Sequence, residues 1–446
     1  MTNSLIRSTS CEHIRTDVLV VGGGAAGVAA AVTAARQGLR VVLAERYGFC
    51  GGGAVAGLSG TVCGLYLATG RAGAKPEQIV FGMADEFCTE LARRGGLGPP
   101  VAYGKTWTRV HEPLAWRDTA DALLADAGVQ VIYHAVATGV LMEGGSRVEG
   151  AQIWTKQGVV TVRADVTVDA SGDADVVAMA GLDSFVGDQG RVQNPTMIFR
   201  MMGVDVSAFL GHYGSDTIMG EEVGALIRRE NDAGNYALPR SKIWLFTTTR
   251  PGELLCNCTR ITASDGRELN PLFHRDFTEA EINGRLQIRE YARFFRDHLV
   301  GCADAFINDS AVQVGVRQTR QAEGVAKLMN KDILAARKFD SSIARSAWPI
   351  ELHAGAKPKV EWLLDDYYEV PYECFVPTQG EGLLVAGRCL SAEHEAVASA
   401  RVTAQCFSYG QAVGHAASIA VRDRLPARSV DPAAIRSRLN NDGAHI

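Results

Sequence analysis

The chain has no CxxC pair among its ten cysteines, and the two nearest, Cys256 and Cys258, are separated by one residue. That excludes a zinc knuckle and a thioredoxin-like redox pair, and leaves scattered reduced thiols, as expected of a cytoplasmic protein. The histidines show no metal-ligand spacing, so no metal is expected. Lysine and arginine form no cluster against a net charge of −5, which argues against nucleic acid or an anionic membrane as partner. There is no internal repeat, no low-complexity tract and no linker rich in proline, glycine and serine. The first sixteen residues lack an apolar core and a twin arginine, and read as a disordered leader rather than a signal peptide. The last twenty residues are polar and are expected to be mobile. One uncharged run, Val18 to Ala35, reaches the eighteen-residue threshold of a membrane span. Gly22, Gly23 and Gly24 would break such a helix in its middle, so the run reads better as strand, turn and packed helix.

Glycine, by contrast, is abundant: 48 of 446 residues, clustered where backbone must approach something closely. The stretch 17–22, DVLVVG, is a β-branched run of the kind buried on both faces of a parallel sheet. It ends in Gly22-x-Gly24-x-x-Gly27, and the residues from Ala25 to Gln37 read as a helix with Gly38 at its C-terminal cap. Residues 40–45, RVVLAE, read as a second strand ending in Glu45. This is a βαβ unit with a dinucleotide fingerprint in its required context. Gly22 allows the turn, Gly24 lets backbone reach a pyrophosphate, and Gly27 lets the helix pack on the sheet. Ala25 and Ala26 open the helix whose free N–H groups would face the phosphates. Glu45 is placed to accept from ribose hydroxyls, and an acid there argues against a 2′-phosphate.

A second glycine stretch follows at once, from Arg46 through Gly51, Gly52 and Gly53, and suits a cofactor longer than its adenosine and pyrophosphate. Residues 129–136 read as a strand that includes Val136, followed by a hairpin around 143–146. Residues 164–173 read as a strand running into a turn of Ala170, Ser171, Gly172 and Asp173. Residues 382–388 read as an apolar strand ending at Gly387 and Arg388, with Cys389 next and a helix of small residues from about 402 to 421.

The succession GxGxxG, ERxGxxGG, DASGD and LLVAGRC resembles the glutathione-reductase-type FAD-binding fold. More narrowly, the chain is similar to the bacterial FAD-dependent oxidoreductases. It carries VGVRQTR at 314–320, VPYECFVP at 370–377, AGRCLSAEHEA at 386–396, NCTR at 257–260 and TEAE at 278–281. The resemblance runs from about Asp17 to about Val421. It implies tightly held FAD, with the 169–173 turn facing the phosphates and ribityl chain. It also implies that Gly387 and the following helix N-terminus meet the isoalloxazine ring. The expected fold is α/β: a Rossmann-like, discontinuous FAD-binding domain over 1–190 and 366–446, with an inserted α+β substrate domain at 191–365. The insert should hold a mostly antiparallel sheet, with strands at 194–200 and 242–249. An amphipathic helix at 278–299 should open on a Thr278/Glu281 capping box and bury Ile282, Leu286, Tyr291, Phe295 and Leu299.

The expected chemistry is hydride transfer between a small organic substrate and the flavin, in a monomer or homodimer. An oxygen-activating aromatic hydroxylase is the enzymatic alternative, although those enzymes usually carry GDAAH where this chain has Gly387-Arg388-Cys389. A protein that holds FAD without catalysis is the other. His394, seven residues past Gly387 and flanked by Glu393 and Glu395, is the first candidate for handling the proton. It reads equally as a polar helix cap. His353 is the second, or else a satisfied core histidine. Arg317 and Arg320 are candidates to clamp a substrate carboxylate, or to pair with Glu323 or Asp309. Tyr372 reads as packing more than pocket. Cys50, where leucine is often found in such proteins, is either a small buried residue or a thiol beside the flavin.

Overall fold

Val18, Leu19 and Val20 are completely buried, as a strand covered on both faces must be. In the computed structural model, which describes residues 12–353 and 358–446, they lie in the middle of a seven-stranded sheet. The strand Glu12–Val21 is flanked in parallel by Val41–Ala44 and by Gly158–Asp169, and Gln130–Ile132 extends the parallel row beyond Val41–Ala44. Gly158–Asp169 changes partner along its length. Its first half pairs antiparallel with Arg147–Thr155, whereas Thr167 to Asp169 pair in parallel with Leu383–Val385. Val136–Glu143 closes the antiparallel edge. The carboxyl ends at Val21, Asp169 and Val385 therefore lie side by side, where an open parallel sheet binds its ligand.

Helix Ala25–Arg36 covers this sheet and is crossed by the long helix Thr403–Asp423. The crossing is unusually close: a Cβ on Gly410 would stand 2.1 Å from the Ala26 carbonyl oxygen, and one on Gly414 would stand 2.7 Å from that of Ala30. Small residues in both helices, Ala26, Ala29, Ala30, Gly410 and Gly414, permit it.

The second core is built on a four-stranded antiparallel sheet in the order Trp244–Thr247, Glu253–Asn257, Phe199–Met202 and Phe306–Ser310. Phe199, Leu254 and Leu255 are fully buried there, with Phe294 and Phe295 from the helix His274–His298. The α/β fold with an added antiparallel sheet is as expected. The two cores interleave along the chain, because Leu58, Tyr103 and Val110 join the second while Ala322, Ile343 and Ile350 join the first.

Several local readings need correction. Residues 129–136 are not one strand. The chain leaves the parallel row after Ile132, passes His134 at φ +52°, and resumes at Val136 on the antiparallel edge. The detour folds it over Glu45, whose carbonyl accepts from the Ala135 N–H at 2.9 Å. Helix His274–His298 starts a turn before Thr278, so there is no capping box. The Thr278 hydroxyl donates back to the His274 carbonyl at 2.7 Å, and Glu281 instead accepts from the Val314 N–H at 2.7 Å. Ile282 and Leu286 are exposed, and the buried face is Ala280, Gly284, Ile288, Tyr291, Phe294 and Phe295. The small residues hid that face from a count of large apolar side chains. The C-terminal residues are not loose either. Helix Pro432–Asn441 is N-capped by Asp431, buries Ile435 and Leu439, and leads into Asp442, which lies 2.8 Å from His415 Nε2.

Candidate active site

The three strand ends open on one cavity of about 370 Å³, within the range of ligand pockets. At its outer end the first glycine turn does three separate jobs. Gly22, at φ +103°, ends its strand against the 170–171 turn, and a Cβ there would meet the Ala170 carbonyl oxygen at 2.5 Å. Gly27 is hidden: its Cβ would stand 1.8 Å from the Gly22 carbonyl oxygen. Gly24 faces open space, its Cβ meeting only Gly52 at 3.9 Å. No side chain caps the helix N-terminus at Gly24, so the first N–H groups of Ala25–Arg36 are free to meet an anion. The second glycine stretch is tied to the first by Gly51 N–H donating to the Gly23 carbonyl at 2.8 Å.

Gly22, Gly24, Ala25, Ala26, Gly51 and Gly52 all border the cavity, and so do Glu45, Arg46 and Val136 at its outer end. The Glu45 carboxylate accepts from Gly23 N–H at 2.6 Å and from Tyr47 N–H at 2.8 Å. Burial pushes its pKa up, against the pull of those two donors. Each oxygen keeps a lone pair for a ribose hydroxyl. Glu45→Ala should therefore weaken FAD by about 1–3 kcal/mol, the worth of a charge-assisted hydrogen bond. A fluorescence titration of the apoprotein with FAD measures this, and an unchanged dissociation constant would place the ribose elsewhere.

Further in, Ala170, Ser171 and Gly172 line the cavity beside Gly387 and Arg388. Asp169 builds this turn, accepting from the Ser171 N–H and hydroxyl on one oxygen and from Val176 and Val177 N–H on the other. Asp173 does not line the cavity; it pairs with Arg388 at 2.9 Å and accepts from the Thr319 hydroxyl. Burial alone would raise its carboxyl, but Arg388 and Thr319 hold it below the usual carboxylate range. Arg320 also stands off the cavity, bonded to the Asp173 carbonyl at 3.0 Å and to Asp175 at 2.6 Å. Cys389 packs beneath the turn against the Asp169 carbonyl. Cys50 is buried off the cavity, its thiol pushed up to about 12 by burial, and Tyr372 packs with its hydroxyl on the Ala427 carbonyl.

The same cavity continues past Gly387 to an inner chamber. Phe246, Ile198 and Trp348 form apolar wall, and Tyr103, Glu351, His353, Arg317 and Arg401 bring polar atoms to it. Glu351 and His353 are two apart at the end of strand Ile350–Leu352, so they project to one side. The Tyr103 hydroxyl donates to both Glu351 oxygens, at 2.9 and 3.1 Å. Arg240 Nη2 lies 3.0 Å from His353 Nδ1. A guanidinium has no acceptor, so Nδ1 accepts and the neutral ring carries its proton on Nε2, 3.8 Å from Glu351 Oε1. Burial, and then Arg317, Arg240 and Arg401, hold the His353 pKa well below the usual value.

His394 is not part of this chamber. It begins the helix His394–Ala400, half-buried off the cavity, with Nδ1 buried and unpartnered among the described residues and with Asp188, Glu395 and Arg191 as its electrostatic neighbours. The sequence reading also passed over Tyr103, Glu351 and Arg401. Glu351 was discoverable from its position two residues before His353. Arg401 gave no sign, because it reaches the chamber only through the break between the helices ending at Ala400 and starting at Thr403.

A parallel sheet with an uncapped glycine turn at one strand end, a buried acid at the next, and a polar chamber beyond fits a dinucleotide-dependent oxidoreductase. The donors and glycines fit FAD, with Gly24 clear for the pyrophosphate and Val402 and Thr403 presenting a helix N-terminus at the inner end. The chain belongs to the FAD dependent oxidoreductase family, whose model matches residues 17–439. It is 30% identical over 204 residues to the digeranylgeranylglycerophospholipid reductase of Thermoplasma volcanium, covering 43% of this chain and 48% of that protein. The match thus spans about half the length of that curated relative. A geranylgeranyl bacteriochlorophyll reductase-like protein of Thermoplasma acidophilum shares the fold at TM-score 0.51 and 18% identity, over 97% of this chain and 85% of the other. The flavin-dependent brominase Bmp2 aligns at TM-score 0.49 and 15% identity, over 96% and 84%. No helix among the described residues is long and apolar enough to cross a membrane.

Proposed function

We propose that the protein exchanges a hydride between FAD and a small organic substrate held in the inner chamber. The observation that carries this reading is the continuity of one cavity from the glycine turn, past Gly387 and Arg388, to Glu351 and His353. FAD, when bound, supplies the two-electron chemistry. The chain must then bind the substrate, exclude water and manage one proton. Trp348, Phe246 and Ile198 supply a dry wall. His353, with Nδ1 engaged by Arg240, offers its Nε2–H as a donor and not as a base. Glu351 is left as the proton acceptor, oriented by Tyr103, whose own pKa burial raises well above the ordinary value. In this reading residues 1–190 and 366–446 bind the flavin and 191–365 the substrate, with Tyr103 lent across. Arg317 binds, while Arg320 and Asp173 position the 173–175 turn. The described cysteines are all free thiols, which supports a cytoplasmic setting.

The test is anaerobic: the yellow holoprotein is mixed with candidate metabolites and bleaching of the flavin is followed. A compound that bleaches it, at a rate unaffected by His394→Ala, is the expected result. If only a nicotinamide reduces the flavin, and oxygen is then built into an organic compound, the protein is a hydroxylase and the reading falls.

A further inference from the structure

The inner chamber gathers more positive charge than its neighbours balance. Arg240 and Arg317 are buried, at 1% and 6% exposure, and Arg401 is half-buried with its exposed part on the cavity. Glu351 is the one carboxylate among the main electrostatic neighbours of all three. Three guanidiniums against one carboxylate leave two positive charges in a region where burying an unpaired charge is costly. Burial and mutual repulsion depress the Arg317 pKa well below the ordinary value, and burial lowers that of Arg401 to about 10.

The donors of these arginines are also underused. Among the described residues Arg317 makes one side-chain hydrogen bond, from Nη1 to the Asn194 carbonyl at 2.7 Å. Arg401 makes one, from Nη2 to Gln193 Oε1 at 3.1 Å, and its Nε has no partner among the described residues. Because Gln193 and Asn194 are adjacent, both guanidiniums are anchored on one short segment and reach the same chamber. That segment is in turn held to His353, whose carbonyl accepts from Asn194 N–H at 3.3 Å. Arg240 stands behind the imidazole, with Nε and Nη1 buried and unpartnered among the described residues.

We propose that the inner chamber takes its substrate as a small organic carboxylate, bound between the guanidiniums of Arg317 and Arg401 with its apolar part against Trp348 and Phe246. The inference rests on the chamber being the substrate site, and it adds the substrate's chemical class. A carboxylate supplies the acceptors that the two forks lack and offsets the uncompensated charge. A neutral compound of the same shape does neither.

The experiment is a titration of the oxidised holoprotein with succinate, phthalate and benzoate, each beside its amide twin. Perturbation of the visible flavin band and the rise in Tm are followed together. At least one acid should bind saturably, and its amide about tenfold or more weaker, the worth of a charge-assisted bond. Arg317→Met should keep FAD and weaken that acid by about tenfold or more, with Arg317→Lys, which keeps charge but not the fork, in between. Amides that bind as well as acids, acids that never bind, or unchanged affinity in Arg317→Met would each overturn the proposal. The outcome is separable from the hydride reading. Acids that bind saturably while no metabolite of any class bleaches the flavin anaerobically would leave the substrate class standing and remove the hydride reading; a neutral compound that bleaches it while acids fail to bind would do the reverse.

Discussion

Gly24→Val is expected to give a folded, colourless protein. At φ −70° and ψ −177° the backbone of Gly24 suits any L residue, and its added carbons would enter open space in the protein itself. Replacing glycine at this helix cap costs the fold about 1 kcal/mol or less. That open space is where the pyrophosphate must approach the free N–H groups, so the loss falls on FAD. It should amount to at least about 4 kcal/mol, roughly a thousandfold in dissociation constant. Gly27→Ala makes the contrast. One methyl group placed 1.8 Å from the Gly22 carbonyl oxygen forces strand and helix apart. Overpacking of that kind costs about 1–3 kcal/mol or more of stability, so here Tm should fall along with FAD content. Circular dichroism melts and the ratio of flavin to protein absorbance separate the two effects. A yellow Gly24→Val protein would mean that the cofactor does not use this turn.

Glu351→Gln should slow flavin reduction by the substrate about 10²–10⁴-fold, the usual worth of a positioned acid or base. The amide keeps the size of the side chain and an oxygen to accept from Tyr103, but it cannot take a proton. In stopped-flow traces the limiting rate should drop, while the half-saturating concentration moves far less. A Glu351→Gln protein that reduces its flavin at the wild-type rate would leave this carboxylate only the task of balancing the arginines around it.

The nucleotide end of the site was legible because its physics is local. Strand, glycine turn, helix and acid follow one another within thirty residues, and each residue type has a task that few others can perform. The chamber was legible only in fragments, because it is assembled from Tyr103 on a small sheet, Gln193 and Asn194 on a loop, Arg317, the strand at 350–352 and a helix break at Arg401. No spacing along the chain records that these meet. His394 stood out for its charged neighbours and its distance from Gly387, but the helix it begins holds it half-buried away from the cavity. Arg317 was found by residue type, while its partner Arg401 was hidden within a run of small helical residues.

The closeness of helices Ala25–Arg36 and Thr403–Asp423 bears on how the protein is made. On a ribosome the glycine turn emerges well before the strand at 383–385 and the helix that clasps it, which follow it by more than 340 residues. The closed loop is long, and these contacts cannot form until the whole of it has been made. Until then the strand Gly158–Asp169 has an unfinished edge at Thr167 to Asp169, and the first helix has an uncovered face lined by Ala26, Ala29 and Ala30. A nascent chain arrested short of residue 420 should display that face to chaperones and to its own copies. Flavin capture must then await helix Thr403–Asp423, and it reports that this helix has docked.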